Sequence, residues 1–284
     1  LLESGMYHPT LARVYDAKNV LLRRGNNLQN RDRAKEVVDK HYDSDPNLFS
    51  AFLDPYHQYT CGYFQGTDDL NQAQENKLEL ICRKLKLKDG ETLLDIGGGW
   101  GGLAAYAAER YKVRVTMITL SEEQAKKARE RGTSLPVEVH VMDYRDIPYR
   151  FAEEGFDKIT AIGILEHIGQ RNYDEFMKVV NYALKPQGIA VFQSIYSPTS
   201  RVLSNPWLRK HIFPNGEIPP RQMIESAAMK YFDQAEEIGF EDMTSHYVKT
   251  LLAWNQNLNN ATKEGRVQLS DRDHRIWNYY FLSC

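Results

Sequence analysis

The sequence predicts an α/β protein with a doubly wound, mostly parallel sheet, an N-terminal helical extension and a helical cover on the substrate side. Between Thr92 and Ser194, short apolar runs alternate with helical patterns, the rhythm of strands joined by crossover helices. The first of these runs ends in a glycine cluster that opens a helix, Leu94-Asp95-Ile96-Gly97-Gly98-Gly99-Trp100-Gly101-Gly102. With 284 residues, the chain is long enough for one large domain carrying a helical extension.

Residues 1–40 are charged and patchily apolar and read as the extension, with local positive charge from Arg23, Arg24, Arg31, Arg33 and Lys35. That charge is either a solvated helix face or a surface resting on anionic lipid headgroups. The main domain, 41–284, opens with an aromatic, turn-rich segment. In it a helix starts at Pro46 after Asp43, Ser44 and Asp45 and breaks at Asp54-Pro55. An amphipathic helix over 69–87 carries Leu70, Ala73, Leu78, Ile81, Cys82 and Leu85 on one side. The Asp89-Gly90 turn leads from it into the sheet. Strands are predicted at 92–96, 113–119, 137–142, 156–164 and 188–194, with helices at 101–111, 122–131 and 173–183. Beyond Ile195 the pattern loosens. Residues 201–220 set Arg201, Arg209, Lys210 and His211 beside Trp207, Ile212 and Phe213, as in a lid or substrate-side insertion. Residues 221–284 read as helical apart from one strand near 240–247.

Composition narrows the function. A net charge of -2 gives no global basic field for nucleic acid. No run of about 18 apolar residues exists to span a bilayer. Leu1 to Thr10 lack the charged start and apolar stretch of a secretory signal, and the missing initiator Met implies further residues upstream. Cys61, Cys82 and Cys284 are too scattered for a disulfide framework or a zinc site, which suits an intracellular enzyme with free thiols and no metal.

In parallel sheets, ligands bind beyond the carboxyl ends of the strands. Glycines after the first strand let the backbone approach a ligand, and the helix behind them offers free N–H groups that suit a carboxylate. The spacing also permits a dinucleotide. However, the second strand ends in Thr119-Leu120-Ser121-Glu122-Glu123-Gln124 rather than in the acid that usually holds a ribose diol. The third ends in Met142-Asp143-Tyr144-Arg145-Asp146, where a carboxylate can accept from an adenine amine and a ring can stack. Ser121 also suits a helix cap and Asp143 a surface turn. Taken together, these strand ends favour a nucleoside cofactor.

The segments HYDSDPNLFSAFLD, QYTCGYF, LLDIGGGWGGLA, ITLSEEQ, MDYRDI, ILEHIG, LKPQGI, HIFPNGEIP, HYVKTLLAW and WNYYFLSC run in order from His41 to Cys284. As a set they resemble the cyclopropane-fatty-acid and mycolic-acid cyclopropane synthase family of S-adenosylmethionine-dependent methyltransferases. The resemblance implies a Rossmann-like class I fold with S-adenosylmethionine as cofactor. Tyr59 and Thr60 would lie over it. The Asp95 turn, with Gly97, Gly98, Gly99 and Gly101, would lie under its methionine part. Thr119, Leu120 and Gln124 would meet the ribose, Asp143, Tyr144 and Arg145 the adenine, and Ile162 would pack nearby. The implied substrate is the double bond of an unsaturated acyl chain on a membrane phospholipid. Such an enzyme would be cytoplasmic and peripheral at the inner membrane face, with a homodimer allowed for.

An alkene is a weak nucleophile, so the sulfonium methyl must be held close and aligned. The resulting cation must be kept from water and can be stabilised by aromatic faces, for which Tyr59, Tyr63, Phe64, Tyr247, Tyr279 and Tyr280 are candidates. Ring closure needs a base, which the family resemblance implies is bicarbonate. Its pocket would here comprise Cys61, Glu166, Ile195 and Tyr247, with Gln193 where the family has His. Glu166 would orient the anion or act as the base itself. A glutamine cannot become cationic, which opens the way to a methyl-branched product. A small-molecule amine methyltransferase on the same scaffold is the other alternative, since related enzymes keep a Glu-His pair like Glu166-His167. Gly98, where Cys is common, reads as a harmless exchange. Cys284 matches a family cysteine and reads as a structural thiol. The family usually continues into a final strand, so an end at Cys284 predicts a truncated C-terminus and a six-stranded sheet.

Overall fold

Thr92–Ile96 (β1) forms the centre of the sheet in this computed structural model, which describes residues 27, 29–31, 46–151, 155–199, 205–232 and 241–284. Arg114–Thr119 (β2) and Val137–Val141 (β3) extend the sheet on one side, and Phe156–Ile162 (β4) and Leu184–Gln193 (β5) on the other. The order is β3-β2-β1-β4-β5 with every pairing parallel, so the order reverses at β1. That reversal opens a crevice at the strand ends, on the side where the glycine cluster lies.

Successive side chains point to opposite faces of a strand. On one face Leu94, Ile96 and Ile159 pack with Phe176, Met177 and Val180 of the helix Tyr173–Ala183 (the later α7). On the other, Leu93, Val115 and Met117 pack with Leu78, Ile81 and Cys82 of Leu70–Lys84 (α2) and Leu103, Ala104 and Ala107 of Gly102–Tyr111 (α3). Both faces are covered, which makes the fold doubly wound as predicted. Glu122–Arg131 (α4) starts on a Ser121 cap whose hydroxyl accepts from the Gln124 N–H at 3.0 Å. A 3₁₀ turn at Tyr144–Asp146 runs into Ile147–Arg150 (α5), and Leu165–Ile168 (α6) follows β4.

A third cluster forms the cover. Pro46–Phe52 (α1) lays Phe49 and Phe52 against Trp254 of Thr244–Lys263 (α10) and Trp277 and Phe281 of Asp271–Ser283 (α11). Phe49, Phe52, Trp254 and Phe281 are each at most 2% exposed, and burying such a side chain contributes roughly 1.5–3 kcal/mol. Two short helices, Pro206–His211 (α8) and Arg221–Met229 (α9), complete the chain.

Two sequence expectations change. Of the strand expected near 240–247, residue 240 lies outside the described residues and 241–247 form no strand: 244–247 open α10, because Thr250, Leu251, Trp254, Leu258 and Ala261 recur at three- and four-residue spacing and bury one helical face. The described residues accordingly hold five strands, not six. Residues 201–204 and most of the 1–40 extension, including Arg23, Arg24, Arg33 and Lys35, lie outside the described residues. Within that extension, Asn27 donates to Asn172 at 2.7 Å, Gln29 donates to the Asn215 carbonyl at 2.7 Å, and Arg31 pairs with Asp146. Among the described residues no helix is long and apolar enough to cross a membrane, and no cluster of metal-ligating side chains occurs.

Candidate active site

The ends of β1, β2, β3 and β4 meet around a cavity of about 180 Å³. Of the residues read from the sequence, Tyr59, Thr60, Asp95, Gly97, Gly98, Gly99, Thr119, Leu120, Gln124, Asp143, Tyr144, Arg145 and Ile162 line it. Gly97 (φ +77°) and Gly99 (φ +57°) adopt left-handed backbone that side-chain-bearing residues avoid. A Cβ on Gly97 would strike Ile164 Cδ1 at 2.8 Å, whereas one on Gly99 would meet nothing within 4 Å. Gly99 therefore leaves open space beside its backbone, as close approach by a ligand requires. Gly101 does not line the cavity. A Cβ there would meet Ala128 at 2.8 Å, so it serves the approach of α3 to α4. The exchange at Gly98 is not neutral in this packing, since a Cβ would come within 2.5 Å of Asp95 Oδ2 and 2.6 Å of Met117 Cγ. A cysteine there would displace both side chains.

Asp95 is buried. One oxygen accepts from the Thr160 hydroxyl at 2.9 Å, and the other is enclosed without a partner. Burial raises its pKa to about 6, against the lowering influence of Thr160 and of the Lys77 charge. Thr119 donates to Gln124 Oε1 at 2.8 Å, fixing two lining residues on each other. Asp143 accepts from the Arg145 backbone N–H at 2.9 Å and from its guanidinium at 3.0 and 3.1 Å. The Tyr144 ring is held edge-on against Phe176 with centroids 5.3 Å apart, and the Arg145 guanidinium lies 4.5 Å from its centre. Ser121 caps α4 beside the cavity and Asp143 caps the 3₁₀ turn while itself lining the cavity, so the two readings of these strand ends are compatible.

The expected catalytic residues fall outside that lining. Ile164, His167 and Ile168 share the cavity face of α6, as spacings of three and four dictate, and Glu166 points elsewhere. Its Oε1 accepts from the Ile195 N–H at 2.6 Å, and its Oε2 is buried without a partner. Burial raises the Glu166 pKa, and the Ile195 N–H opposes that rise. Neighbouring His167 has its pKa lowered by burial to about 4 and is therefore neutral at pH 7. Gln193 donates to the Cys61 carbonyl at 3.4 Å and to Met243 sulfur at 3.6 Å, while its Oε1 is buried without a partner. The Cys61 thiol donates to the Gly62 and Met243 carbonyls at 3.3 and 3.7 Å, and burial pushes its pKa to about 11. Tyr247 and Tyr280 meet hydroxyl to hydroxyl at 3.4 Å, both raised well above the usual tyrosine value by burial. Cys284 is exposed at the end of α11. Tyr59 packs among Phe49, Phe52, Phe213 and Trp254 at 5.2–6.1 Å. Tyr63 stacks on His246 and the buried Phe64 lies in the cover, whereas Tyr279, 41% exposed, rests on Trp207 at the surface.

The sequence reading missed Gln29, His57, Gln58, Trp100, Gly163, Pro214 and Asn215, which also line the cavity. Gln29 and Asn215 come from opposite ends of the chain and are joined by their hydrogen bond, a long-range closure with no local signal. Gln58 carried one: it lies between Asp54-Pro55 and the expected Tyr59-Thr60, and its N–H is pinned by Asp54 at 2.7 Å.

Comparison with known proteins adds the following. The profile of the mycolic acid cyclopropane synthetase family matches residues 29–284. Cyclopropane-fatty-acyl-phospholipid synthase of Escherichia coli K12 is 40% identical over 258 residues, 91% of this chain and 65% of that protein. A probable fatty acid methyltransferase of Pseudomonas putida is 34% identical, over 88% of this chain and 64% of that protein. The chain thus spans somewhat less than two thirds of these curated relatives. Among solved structures, the cyclopropane synthase MmaA2 of Mycobacterium tuberculosis superposes with a TM-score of 0.80 at 27% identity, covering 91% of this chain and 94% of that one. Mycolic acid cyclopropane synthase CmaA1, complexed with SAH and CTAB, gives 0.77 at 28% identity, covering 88% and 92%.

Proposed function

The chain belongs to the mycolic acid cyclopropane synthetase family, and from that membership and the site geometry we propose that it methylates the double bond of an unsaturated phospholipid acyl chain and closes a cyclopropane ring. Its fold is the Rossmann-like fold of class I S-adenosylmethionine-dependent methyltransferases. The observation that carries the proposal is the convergence of four strand ends on one cavity floored by Gly97 and Gly99.

The lining suits S-adenosylmethionine. Open space over Gly99 admits a close ligand, and the cavity-lining Asp95 carboxylate keeps one oxygen without a hydrogen-bond partner. Gly97, Gly98 and Gly99 would hold the methionine part, Thr119, Leu120 and Gln124 the ribose, and Asp143, Tyr144, Arg145 and Ile162 the adenine. When bound, the cofactor supplies an electrophilic methyl. The chain's part is alignment and exclusion of water, since a cation on the acyl chain would otherwise be trapped. Tyr59, set in its aromatic cage, offers a ring face to that charge.

Proton removal falls to the Glu166 side of α6. Burial raises its basicity, and the Ile195 N–H fixes its orientation. Bicarbonate would be recognised here through its O–H, for which Glu166 Oε2 and Gln193 Oε1, buried acceptors without partners, are the candidates. The Ile195 N–H is already committed to Glu166, so an anion there would have to draw its further donors from the Gln193 amide in exchange for its long bonds to the Cys61 carbonyl and Met243 sulfur. When bound, bicarbonate supplies a base. The neutral Gln193 also supports a second outcome, in which the cation loses another proton and a methyl-branched chain leaves. Support for membrane contact comes from α8 and α11: Lys210 and Arg272 both act on His211, beside exposed Tyr279 and Leu282. Such an enzyme would work at the cytoplasmic membrane face.

Incubating the protein with vesicles of a monounsaturated phospholipid and S-adenosylmethionine tests this. Mass spectrometry is expected to show a gain of one CH2. Ozonolysis then separates the products, since a ring resists cleavage and a branched alkene does not. No mass gain from folded protein overturns the proposal.

A further inference from the structure

The strangest charge in the molecule is one the proposed chemistry does not use. Lys77, on α2, is 1% exposed, and the hydrogen bonds of its ammonium go to neutral side chains. Burying an ammonium with no direct ion pair is costly even with the Asp54 and Asp95 carboxylates in its electrostatic reach, so something must retain it. Its Nζ donates to Gln58 Oε1 at 2.7 Å and to Thr60 Oγ1 at 2.8 Å. Both acceptors line the cavity. One turn earlier on the same helical face, fully buried Gln74 donates to the Gln58 and Thr60 carbonyls at 3.3 and 2.9 Å. From the other side, the buried Asp54 carboxylate accepts from the Tyr56 and Gln58 N–H groups at 2.8 and 2.7 Å. The segment 56–60 is thus gripped along its backbone and side chains by three buried residues, none of which lines the cavity itself. The grip is also tight across the cavity mouth: a Cβ on Gly163 would lie 2.6 Å from Thr60 Cγ2.

The geometry points to Lys77 as a positioning residue that clamps the Gln58–Thr60 wall at the height the cofactor requires. This inference rests on S-adenosylmethionine occupying the cavity. Two charge-assisted hydrogen bonds to neutral oxygens are stronger than ordinary ones and directional, so they hold a segment that has no regular secondary structure of its own. The ammonium also acts electrostatically on Asp95, which lies on the same cavity: each carries the other's charge in its pKa, with Lys77 lowered by burial to about 8 and Asp95 raised to about 6.

The test is Lys77→Met in the full chain, which fills the same volume without charge or donors. Two quantities are read: S-adenosylhomocysteine binding by calorimetry, and amide exchange of the peptide covering 56–63 with no ligand present. The clamp predicts a Kd at least about tenfold higher, with exchange accelerated in 56–63 and unchanged in β1 and β4. An unchanged Kd, or acceleration spread evenly over the sheet, overturns it, the latter because it would mark a merely structural role. Should Lys77→Met not fold, Thr60→Val removes one acceptor at constant shape and carries the same test, with a smaller loss of affinity and the same local acceleration. Should the parent protein itself bind no S-adenosylhomocysteine, the cofactor proposal fails, and the exchange result alone still decides the clamp.

Discussion

Replacing Glu166 by Gln separates what the carboxyl does for stability from what it does for chemistry. The substitution keeps an oxygen for the Ile195 N–H, 2.6 Å away, and puts an amide where the partnerless Oε2 lies. The folded-state pKa of Glu166 is raised above 4.5, its ordinary value. Below pH 4.5 the group is protonated in both folded and unfolded chains and contributes no pH dependence. As pH rises, the unfolded chain ionises first. The native state then loses stability, by up to about 1.4 kcal/mol per pH unit, until its own raised pKa is passed. Glutamine has no such term. The stability of Glu166→Gln relative to the parent must therefore climb from a fixed offset near pH 4 to a plateau reached once the raised pKa is passed. The offset itself reflects a buried amide N–H lacking an acceptor, a cost of about 1–3 kcal/mol. Because the offset does not titrate, urea midpoints measured from pH 4 to 8 resolve the two effects. Turnover on lipid vesicles should fall by about 10²–10⁴, the usual contribution of a positioned acid or base. Parallel stability profiles would show that the carboxylate is not buried as a charge, and full turnover would remove Glu166 from the reaction.

Two further perturbations bear on the same site. Gly99→Ala forces a side chain into left-handed backbone at a cost of about 1–2 kcal/mol, and its methyl enters the space beside Gly99. Urea denaturation should show that loss together with weaker S-adenosylhomocysteine binding. Gly66→Ala, at φ +72° with nothing within 4 Å, should lose similar stability and leave binding unchanged. Thiol titration with a chromogenic disulfide at pH 8 should find one fast group, exposed Cys284. Cys61, with its pKa near 11, and fully buried Cys82, with its thiol pushed higher still, should react only after denaturation. Fast labelling of all three would contradict the packing around Cys61.

Local signals carried the sheet and the cavity floor. Apolar runs and helical patterns in β1 to β5 fix strand against helix over short windows, and the glycines at 97 and 99 are demanded by their backbone angles. Where pattern and composition disagreed, the reading failed. Phe240, Thr244 and Tyr247 favour strands, yet the repeat that begins at Tyr247 and Thr250 is helical, and burial of Trp254 decides it. Lys77 was legible in principle. It stands four residues after Ala73 and seven after Leu70, on the apolar stripe of α2, where a solvated lysine has no place. Gln29, Pro214 and Asn215 were not legible, because only the folded chain brings residues nearly 190 positions apart to one rim.

The division of α6 into two faces also orders the proposed reaction in space. Thr60 and Gly163 line the cofactor cavity, while Cys61 and Gln193 stand directly behind them, joined by the Gln193-to-Cys61 hydrogen bond and by the Gly163 N–H on the Gln193 carbonyl at 2.8 Å. The partition is one residue thick. A cofactor filling the cavity would occupy its glycine side, and under the proposed reaction the acyl chain would arrive from the other, where Gln193 reaches Met243 at the start of α10. Methyl transfer takes place only in contact, with reacting atoms about 3–3.5 Å apart, so the proposed reaction requires the acyl chain to reach the cofactor methyl at an opening in this wall, with Tyr59 on the cavity side and Glu166 and Gln193 outside the cavity lining. Residues of the glycine floor then set whether a methyl is delivered. In the proposed reaction Gln193, unable to carry a charge, would act on which proton leaves, and so on whether the product is a ring or a branch.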